Sequence, residues 1–173
     1  PPIVKERNIT MGFPVAHTPI FNLVKLLINL QCEGYDNAHK TFTLETAHNI
    51  LAHPYILSNS NEAARVDKEI CSKRLLLPPL EILQADELLT SIFTPFNDTL
   101  LWMVSIGDII QKIARNTPYQ AHKEDKDKTT ADIYNELFLE AQLKVFTQTQ
   151  RLVSLLSDGE LTLKMRTLGN LLL

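Results

Sequence analysis

Apolar residues recur along this chain at the three- and four-residue spacing of amphipathic helices, with polar residues between them. The spacing predicts helices at 19–31, Thr43–Ala52, 61–74, Asp86–Phe93, from Asn97 or Asp98 to Arg115 and from Thr129 or Thr130 to Ser157, then an amphipathic segment at 160–173. The predicted fold class is therefore all-α: an irregular bundle of about six helices with a short extended N-terminal segment. By its length the chain should form a single domain, 1–173.

The same pattern predicts which helix faces are buried. In the helix at 19–31 apolar residues cover most of the circumference, so this helix should be buried nearly all round. The helix that ends at Arg115 should bury Leu100, Leu101, Met103, Val104, Ile110 and Ile113. The longest helix should bury Tyr134, Leu137, Phe138, Ala141, Val145, Leu152 and Leu155. The segment Leu75–Leu80 contains two prolines, so it should lie extended against the core.

Glycine, proline and small polar residues mark the helix ends. Gly34 should end the first helix, and Pro54 should stop the second at His53. The polar run 58–61 offers capping side chains for the third helix, and Gly159 should close the longest.

The stretch 8–19 predicts a junction between an extended segment and the first helix. Gly12 permits backbone conformations that other residues resist, and Pro14 keeps the residue before it extended. Thr18 is expected to accept an N–H bond as N-cap, and Pro19 to occupy the first helical position, where its missing N–H costs nothing.

Composition and charge narrow the functional classes. A hydrophobic fraction of 45% with only five glycines fits a helix-rich globular protein. The net charge of −3 argues against a surface devoted to nucleic acid, although a local basic stripe is compatible with it. No signal peptide or membrane-spanning apolar run occurs, and Cys32 and Cys71 form no metal spacing. These features predict a cytoplasmic protein with buried, reduced thiols. Both ends look cut from a longer chain.

Motifs for nucleotide binding or catalysis are missing from the sequence. No glycine-rich phosphate loop and no nucleophile elbow is present, so we predict no nucleotide, no cofactor and no catalytic residue. Glu45 and His48 would share a helix face, but a carboxylate-bridged di-metal site needs a second such pair. His48 and His53 lie about 140° apart around a helix, which is poor ligand geometry. His53 is expected instead at a helix C-terminus, with its ring capping carbonyls.

Positive residues cluster in one part of the chain. Candidate DNA contacts are Lys112, Arg115, Lys123, Lys126 and Lys128. Glu124, Asp125 and Asp127 lie among them, so an ordinary solubilising surface is the alternative. The acid-x-Lys pattern at 124–126 resembles half of a metal-dependent nuclease site. In such a site the acid and the lysine lie on a rigid β-strand, whereas the sequence predicts a charged loop here.

Two short motifs resemble bacterial PD-(D/E)XK nuclease-family proteins of the AddB type, in which an inactivated superfamily I helicase region precedes a nuclease domain. The first is Asn8-Ile9-Thr10-Met11-Gly12-Phe13-Pro14, followed by Thr18-Pro19 and an apolar helix. The second is Leu51-Ala52-His53-Pro54-Tyr55-Ile56. Phe13 stands where the family more often has tyrosine. The motif residues that the resemblance marks as structural are Asn8, Thr10, Gly12, Pro14, Thr18, Pro19, His53, Pro54 and Tyr55.

The resemblance implies a position in a larger protein. Neither motif is catalytic in this family, so the chain would be a helical insertion in the second helicase-like lobe, with the nuclease residues beyond residue 173. Its parent would process double-strand DNA ends for recombinational repair. The expected partners are duplex DNA and a partner helicase–nuclease subunit. The alternative is a free-standing helical adaptor that binds a partner protein through an apolar face such as 160–173.

Overall fold

The structure is a computed structural model that describes residues 14–116, 130–159 and 164–172, without the side chains of 116, 130–135 and 170. The α-helices in these residues are α1 (Pro19–Asn29), α2 (Leu44–Leu51), α3 (Pro54–Asn59), α4 (Ala63–Ser72), α5 (Leu80–Leu83), α6 (Glu87–Ile92), α7 (Thr99–Asn116), α8 (Thr130–Ser157) and α9 (Met165–Leu172). The strands β1 (Tyr35–Asp36) and β2 (Thr41–Phe42) pair antiparallel. The all-α class is confirmed.

Helix α1 lies at the centre of the bundle. It packs against α2, α3, α7, α8 and α9, and the longest contact between two helices is that of α7 with α8. The exposed positions of α1 are Asn22, Lys25 and Asn29, which form one narrow polar stripe. The prediction that this helix is buried nearly all round is confirmed. A π-helical turn, Leu30–Gly34, extends it.

The buried face of α7 differs from the prediction. Leu101 is 60% exposed and Val104 is 37% exposed, whereas Trp102, Ile106 and Ile109 are buried. Residues 100–104 are all apolar, so this run by itself does not show which face of the helix is buried. The isoleucines further along fix the phase, because their spacing admits only one face.

Along α8 the buried stripe is narrower than predicted. Ala141 and Val145 are buried and Leu152 is half-buried, but Leu155 is 39% exposed. Tyr134, which was also predicted in this stripe, lies outside the described side chains.

The region after α2 is more helical than the sequence indicates. Pro54 does not merely stop α2, which ends at Leu51; it opens the further helix α3 at its first position. This agrees with the preference of proline for the first turn, where no N–H is needed. Helix α5 and the β1–β2 hairpin were also not predicted. Each is too short to show a period.

The two glycines expected at helix ends act differently. Gly159 has φ +71° and closes α8, as predicted. Gly34 is not left-handed; it is buried, and a Cβ added there would lie 2.8 Å from the Cβ of Thr46 on α2. Gly34 therefore permits close packing of the π turn on α2, rather than a left-handed helix end.

Capping side chains join α4 to α6. The hydroxyl of Ser60 accepts the N–H of Ala63 at 3.0 Å and donates to Asp86, whose other carboxylate oxygen accepts the N–H of Leu89 at 2.7 Å. The capping role predicted for 58–61 is confirmed. Asp98 likewise caps α7 through the N–H of Leu101 at 2.8 Å.

The prediction for Leu75–Leu80 holds only in part. The segment before Leu80 is not helical, but Leu76 is 75% exposed instead of covering the core. Hydrogen bonds to its carbonyl groups hold this segment: the N–H of Leu44 donates to the carbonyl of Leu76 at 2.9 Å, and the Thr41 hydroxyl donates to the carbonyl of Pro78 at 2.5 Å.

Candidate functional sites: a motif joint, a basic edge and a histidine–cysteine–aspartate cluster

The start of α1 is built by Thr18 and Pro19. Thr18 is the N-cap residue and Pro19 the first helical residue, as predicted. The Thr18 hydroxyl does not accept a helical N–H; it donates to the carbonyl of Val15 at 2.6 Å, closing a 3₁₀ turn over Val15–His17. The predicted side-chain cap is therefore wrong, because that turn offers the hydroxyl a nearer acceptor. Asn8, Thr10 and Gly12 lie outside the described residues.

His53 has a different role from the one predicted. It is the N-cap of α3, and its ring atom Nδ1 accepts the N–H of Tyr55 at 3.2 Å. The prediction that the ring caps carbonyls at the end of α2 is wrong: its backbone is extended, with φ −69° and ψ 134°, because it precedes a proline. Burial, which leaves the residue 4% exposed, lowers the pKa of His53.

The same imidazole joins the two sequence motifs. The backbone of Pro19 acts on the pKa of His53 in the opposite direction to burial. Proline has no N–H, so it is the carbonyl of Pro19 that faces the imidazole. Since Nδ1 accepts from Tyr55, the neutral ring carries its proton on Nε2. His53 thus links the first turn of α3 to the first turn of α1. We call this contact of Thr18, Pro19, His53, Pro54 and Tyr55 the motif joint.

Tyr55 extends the joint toward α8. Its ring lies 5.6 Å from that of His53, and burial raises the pKa of its hydroxyl. The side chain of Gln142 on α8 acts in the opposite direction on this pKa. Among the described residues, however, neither the Tyr55 hydroxyl nor the Gln142 amide forms a hydrogen bond of ordinary geometry. The two groups face each other as an imperfectly satisfied buried polar pair.

Two of the predicted basic residues, Lys112 and Arg115, lie among acidic residues at an edge between α6 and α7. Lys112 donates to Glu87 at 2.8 Å and to Ser91 at 3.2 Å, and this lysine lowers the pKa of Glu87. Lys112 and Glu87 line a groove at this edge. Arg115, which is exposed, and Asp86 line the same groove. Much of the positive charge of Lys112 is therefore compensated within the chain. Lys123, Lys126 and Lys128 lie outside the described residues.

A third site joins side chains from α2 and α4. His48 Nδ1 lies 2.7 Å from an oxygen of Asp67, and the Cys71 sulfur lies 3.6 Å from the same nitrogen and 3.7 Å from the same oxygen. We call these three residues the HDC cluster. A cleft of about 560 Å³ lies beside it, lined by His48 and Cys71, by the apolar residues Leu44, Leu76 and Leu77, and by Thr43 and Glu45.

The HDC cluster differs from the sequence predictions in two ways. The acidic neighbour of His48 is Asp67, nineteen residues later, and not Glu45. Cys71 is exposed, so the prediction of a buried thiol is wrong for it; Cys32 is only half-buried. Desolvation, followed by the charge of Asp67, raises the pKa of the Cys71 thiol. The sequence did contain one indication of this cluster: Asp67 and Cys71 are four residues apart, so in a helix they share a face.

The geometry of the cluster excludes a catalytic triad. In a triad the nucleophile and the orienting carboxylate contact opposite nitrogens of the imidazole, so that one nitrogen accepts a proton while the other is held. Here the sulfur and the carboxylate both approach Nδ1. That nitrogen cannot serve both partners, so the cluster has no proton relay.

Comparison with protein-family models, with curated proteins and with solved structures gave no match to this chain. Within the described residues, no helix combines the length and the apolar character needed to cross a membrane.

Proposed function

We propose that this chain is a non-catalytic helical domain of a cytoplasmic, AddB-like helicase–nuclease protein that processes DNA ends for recombinational repair. Its role is scaffolding: it sets the geometry between neighbouring parts of the parent protein and its partner subunit. The chemistry of DNA cleavage belongs to other residues of the parent.

The observation that carries this proposal is the motif joint. Thr18-Pro19 and His53-Pro54-Tyr55 are separated by more than thirty residues, yet the two helices that they start, α1 and α3, pack against each other, and the backbone of Pro19 acts on the pKa of His53. Two accidental sequence matches have no reason to meet in space. Their contact supports the view that the resemblance reflects one three-dimensional unit.

The surroundings of the joint favour a structural role. His53 and Thr18 are buried, and Nδ1 of the imidazole accepts the N–H of Tyr55. A catalytic histidine needs a free nitrogen within reach of a substrate proton. Here Nδ1 is occupied by the N–H of Tyr55 at the start of α3, and the imidazole is buried beside Pro19 at the start of α1.

Contact with duplex DNA is a secondary part of the proposal. Because Lys112 is paired with Glu87, the contact rests on Arg115 and on Lys123, Lys126 and Lys128. A few phosphate contacts of this kind give sequence-independent, salt-sensitive affinity on the order of 10⁻⁴–10⁻⁶ M. In fluorescence anisotropy at low salt, Arg115→Glu should weaken binding, whereas Lys73→Glu, at an exposed position that does not line the groove of Arg115, should have little effect. Equal binding by both variants would remove Arg115 from the interface.

The adaptor alternative assigned docking to the apolar face of 160–173. In the structure α9 packs on α1 and α8, Leu168 is fully buried, and Gly169 lies against Ile28 and Trp102. Within the described part of this segment, 164–172, the centre of the apolar face is therefore engaged inside the fold, although Leu171 is 59% exposed. This observation favours the scaffold proposal over an adaptor that docks through α9.

Two experiments test the proposal. Sequencing of the coding DNA past codon 173 should reveal a continuing frame with PD-(D/E)XK residues; a stop codon directly after Leu173 would favour the adaptor. The purified chain should leave linear duplex DNA intact in the presence of Mg²⁺. Cleavage that disappears in Glu124→Gln or Lys126→Ala would assign the chemistry to this chain and overturn the scaffold role.

A further inference from the structure

The HDC cluster brings together three different kinds of metal-binding atom. An imidazole nitrogen, a thiol sulfur and a carboxylate oxygen all lie within 4.8 Å of one another, at the contact between α2 and α4. Nitrogen and sulfur donors are typical of zinc sites, and a carboxylate can complete the set. Calcium and magnesium prefer oxygen donors alone, so this set discriminates against them.

The distances between the donor atoms match a tetrahedral ion. With ordinary bond lengths, a tetrahedral zinc ion holds a sulfur about 3.6 Å from a nitrogen or an oxygen ligand, and a nitrogen about 3.4 Å from an oxygen. The sulfur of Cys71 lies 3.6 Å from the nitrogen of His48 and 3.7 Å from the oxygen of Asp67. Only the nitrogen–oxygen distance, 2.7 Å, is that of a hydrogen bond. It must widen by roughly 0.7 Å, which small side-chain rotations supply at this exposed position.

We propose that His48, Asp67 and Cys71 form a zinc site with three protein ligands and an open fourth position beside the adjoining cleft. The ion binds His48 through Nδ1, Asp67 through a carboxylate oxygen and Cys71 as the thiolate. On binding, the thiol proton leaves to solvent, and the imidazole is neutral with its proton on Nε2. A water molecule fills the fourth position, as in zinc sites with three protein ligands.

The scaffold around the cluster suits such a site. Asp67 and Cys71 are one turn apart on α4, so the helix holds both donors on one face. His48 comes from α2, which packs against α4. Zinc would therefore crosslink two helices that already touch. The inference departs from the sequence-based expectation of no metal, and it does not depend on the scaffold proposal, since the site could exist in either function.

Cobalt provides the direct test, because Co²⁺ adopts the same geometry as zinc and absorbs light. The 173-residue chain, reduced and stripped with a chelator, should bind one Co²⁺ with a thiolate-to-metal charge-transfer band and tetrahedral bands in the visible. One equivalent of Zn²⁺ should abolish these bands. Since loss of an outer-shell partner alone weakens metal binding about 10–100-fold, Cys71→Ser, Asp67→Asn and His48→Gln should each weaken it at least tenfold.

The second cysteine supplies the matched control. Cys32→Ser removes a thiol outside the cluster and should leave the spectrum and the affinity unchanged. Circular dichroism checks that each variant keeps its helix content. His48 and Cys71 are exposed, and Asp67→Asn is a conservative substitution, so the variants should fold. No cobalt binding, binding without the charge-transfer band, or equal binding by Cys71→Ser and wild type would each overturn the proposal.

Discussion

His48 and His53 lie on either side of the turn between α2 and α3, and their surroundings are opposite. His53 is 4% exposed, accepts the N–H of Tyr55 at the start of α3 and lies beside Pro19 at the start of α1. The side chain of His48 is 48% exposed and faces the side chains of Asp67 and Cys71 beside a cleft. Of the two, the buried histidine belongs to the family-like motif and serves the framework. The exposed histidine, outside the motif, is the one free to meet a ligand.

The contrast between His53 and His48 predicts a large difference in stability between their alanine variants. His53→Ala removes a cap and leaves a cavity at the α1–α3 contact, so it should lower the free energy of unfolding by about 2–4 kcal/mol. His48→Ala removes only an exposed pair and should cost less than about 0.5 kcal/mol in the presence of a chelator. Urea unfolding followed by circular dichroism measures both.

A conservative variant separates capping from cavity formation. In His53→Asn the amide oxygen can still accept the N–H of Tyr55, so we expect a smaller loss than in His53→Ala. Similar losses in His48→Ala and His53→Ala would contradict the division between framework and exposed site.

A second variant tests the packing of Gly34 against α2, the helix that carries His48. Gly34→Ala places a methyl group against Thr46, two residues before His48, and should cost roughly 1–3 kcal/mol through overpacking. Thr46→Ala in the same chain should recover part of that loss, because it removes the colliding atoms. Thermal unfolding of the single and double variants gives the answer; an undisturbed melting temperature in Gly34→Ala would show that the contact is loose.

A smaller effect is expected at the cap that starts α4, the helix that carries Asp67 and Cys71. Ser60→Ala removes the acceptor of the Ala63 N–H and the donor to Asp86, and should cost about 1 kcal/mol. Ser58→Ala, at an exposed neighbour, should stay within about 0.5 kcal/mol. If the two variants unfold at the same urea concentration, Ser60 is not the cap described above.

The smallest effect is the dependence of stability on pH. The pKa of His53 is lowered in the folded protein from an ordinary value of 6.5, so the unfolded chain binds the proton more readily. The contribution of His53 is present above 6.5 and is lost as the pH falls through the folded-state pKa. Carboxylates with a lowered pKa, such as Asp36 and Glu69, lose theirs at more acidic pH. The difference between wild type and His53→Asn should therefore depend on pH below 6.5; a constant difference would contradict the buried, neutral histidine.

The sequence predicted what depends on local chemistry. Helical periods located the long helices, and caps at Ser60 and Asp98 and the stop at Gly159 followed from residue type. The phase of α7 failed at Leu101, because a run of adjacent apolar residues has no direction. Pro54 was interpreted as a stop, although the same residue starts helices equally well.

The candidate sites depend on contacts between residues that are far apart in the sequence, and these could not be predicted from it. The neighbour of His53 at the start of α1 is Pro19, and the partner of His48 is Asp67, in each case a residue at least nineteen positions away. Only the shared face of Asp67 and Cys71 could have been found beforehand, from their spacing of four. Which helix would lie opposite that face is decided by packing of the whole bundle.

A histidine-detected NMR titration tests the central claim most directly, since it follows both rings in one sample. We predict that His53 is the Nε2–H tautomer and stays neutral as the pH falls below 6.5, because burial and its bond to the Tyr55 N–H favour the neutral ring. His53→Asn assigns its signal. A His53 signal in the Nδ1–H tautomer, or one that titrates at or above 6.5, would contradict the claim that this residue holds the motif joint together.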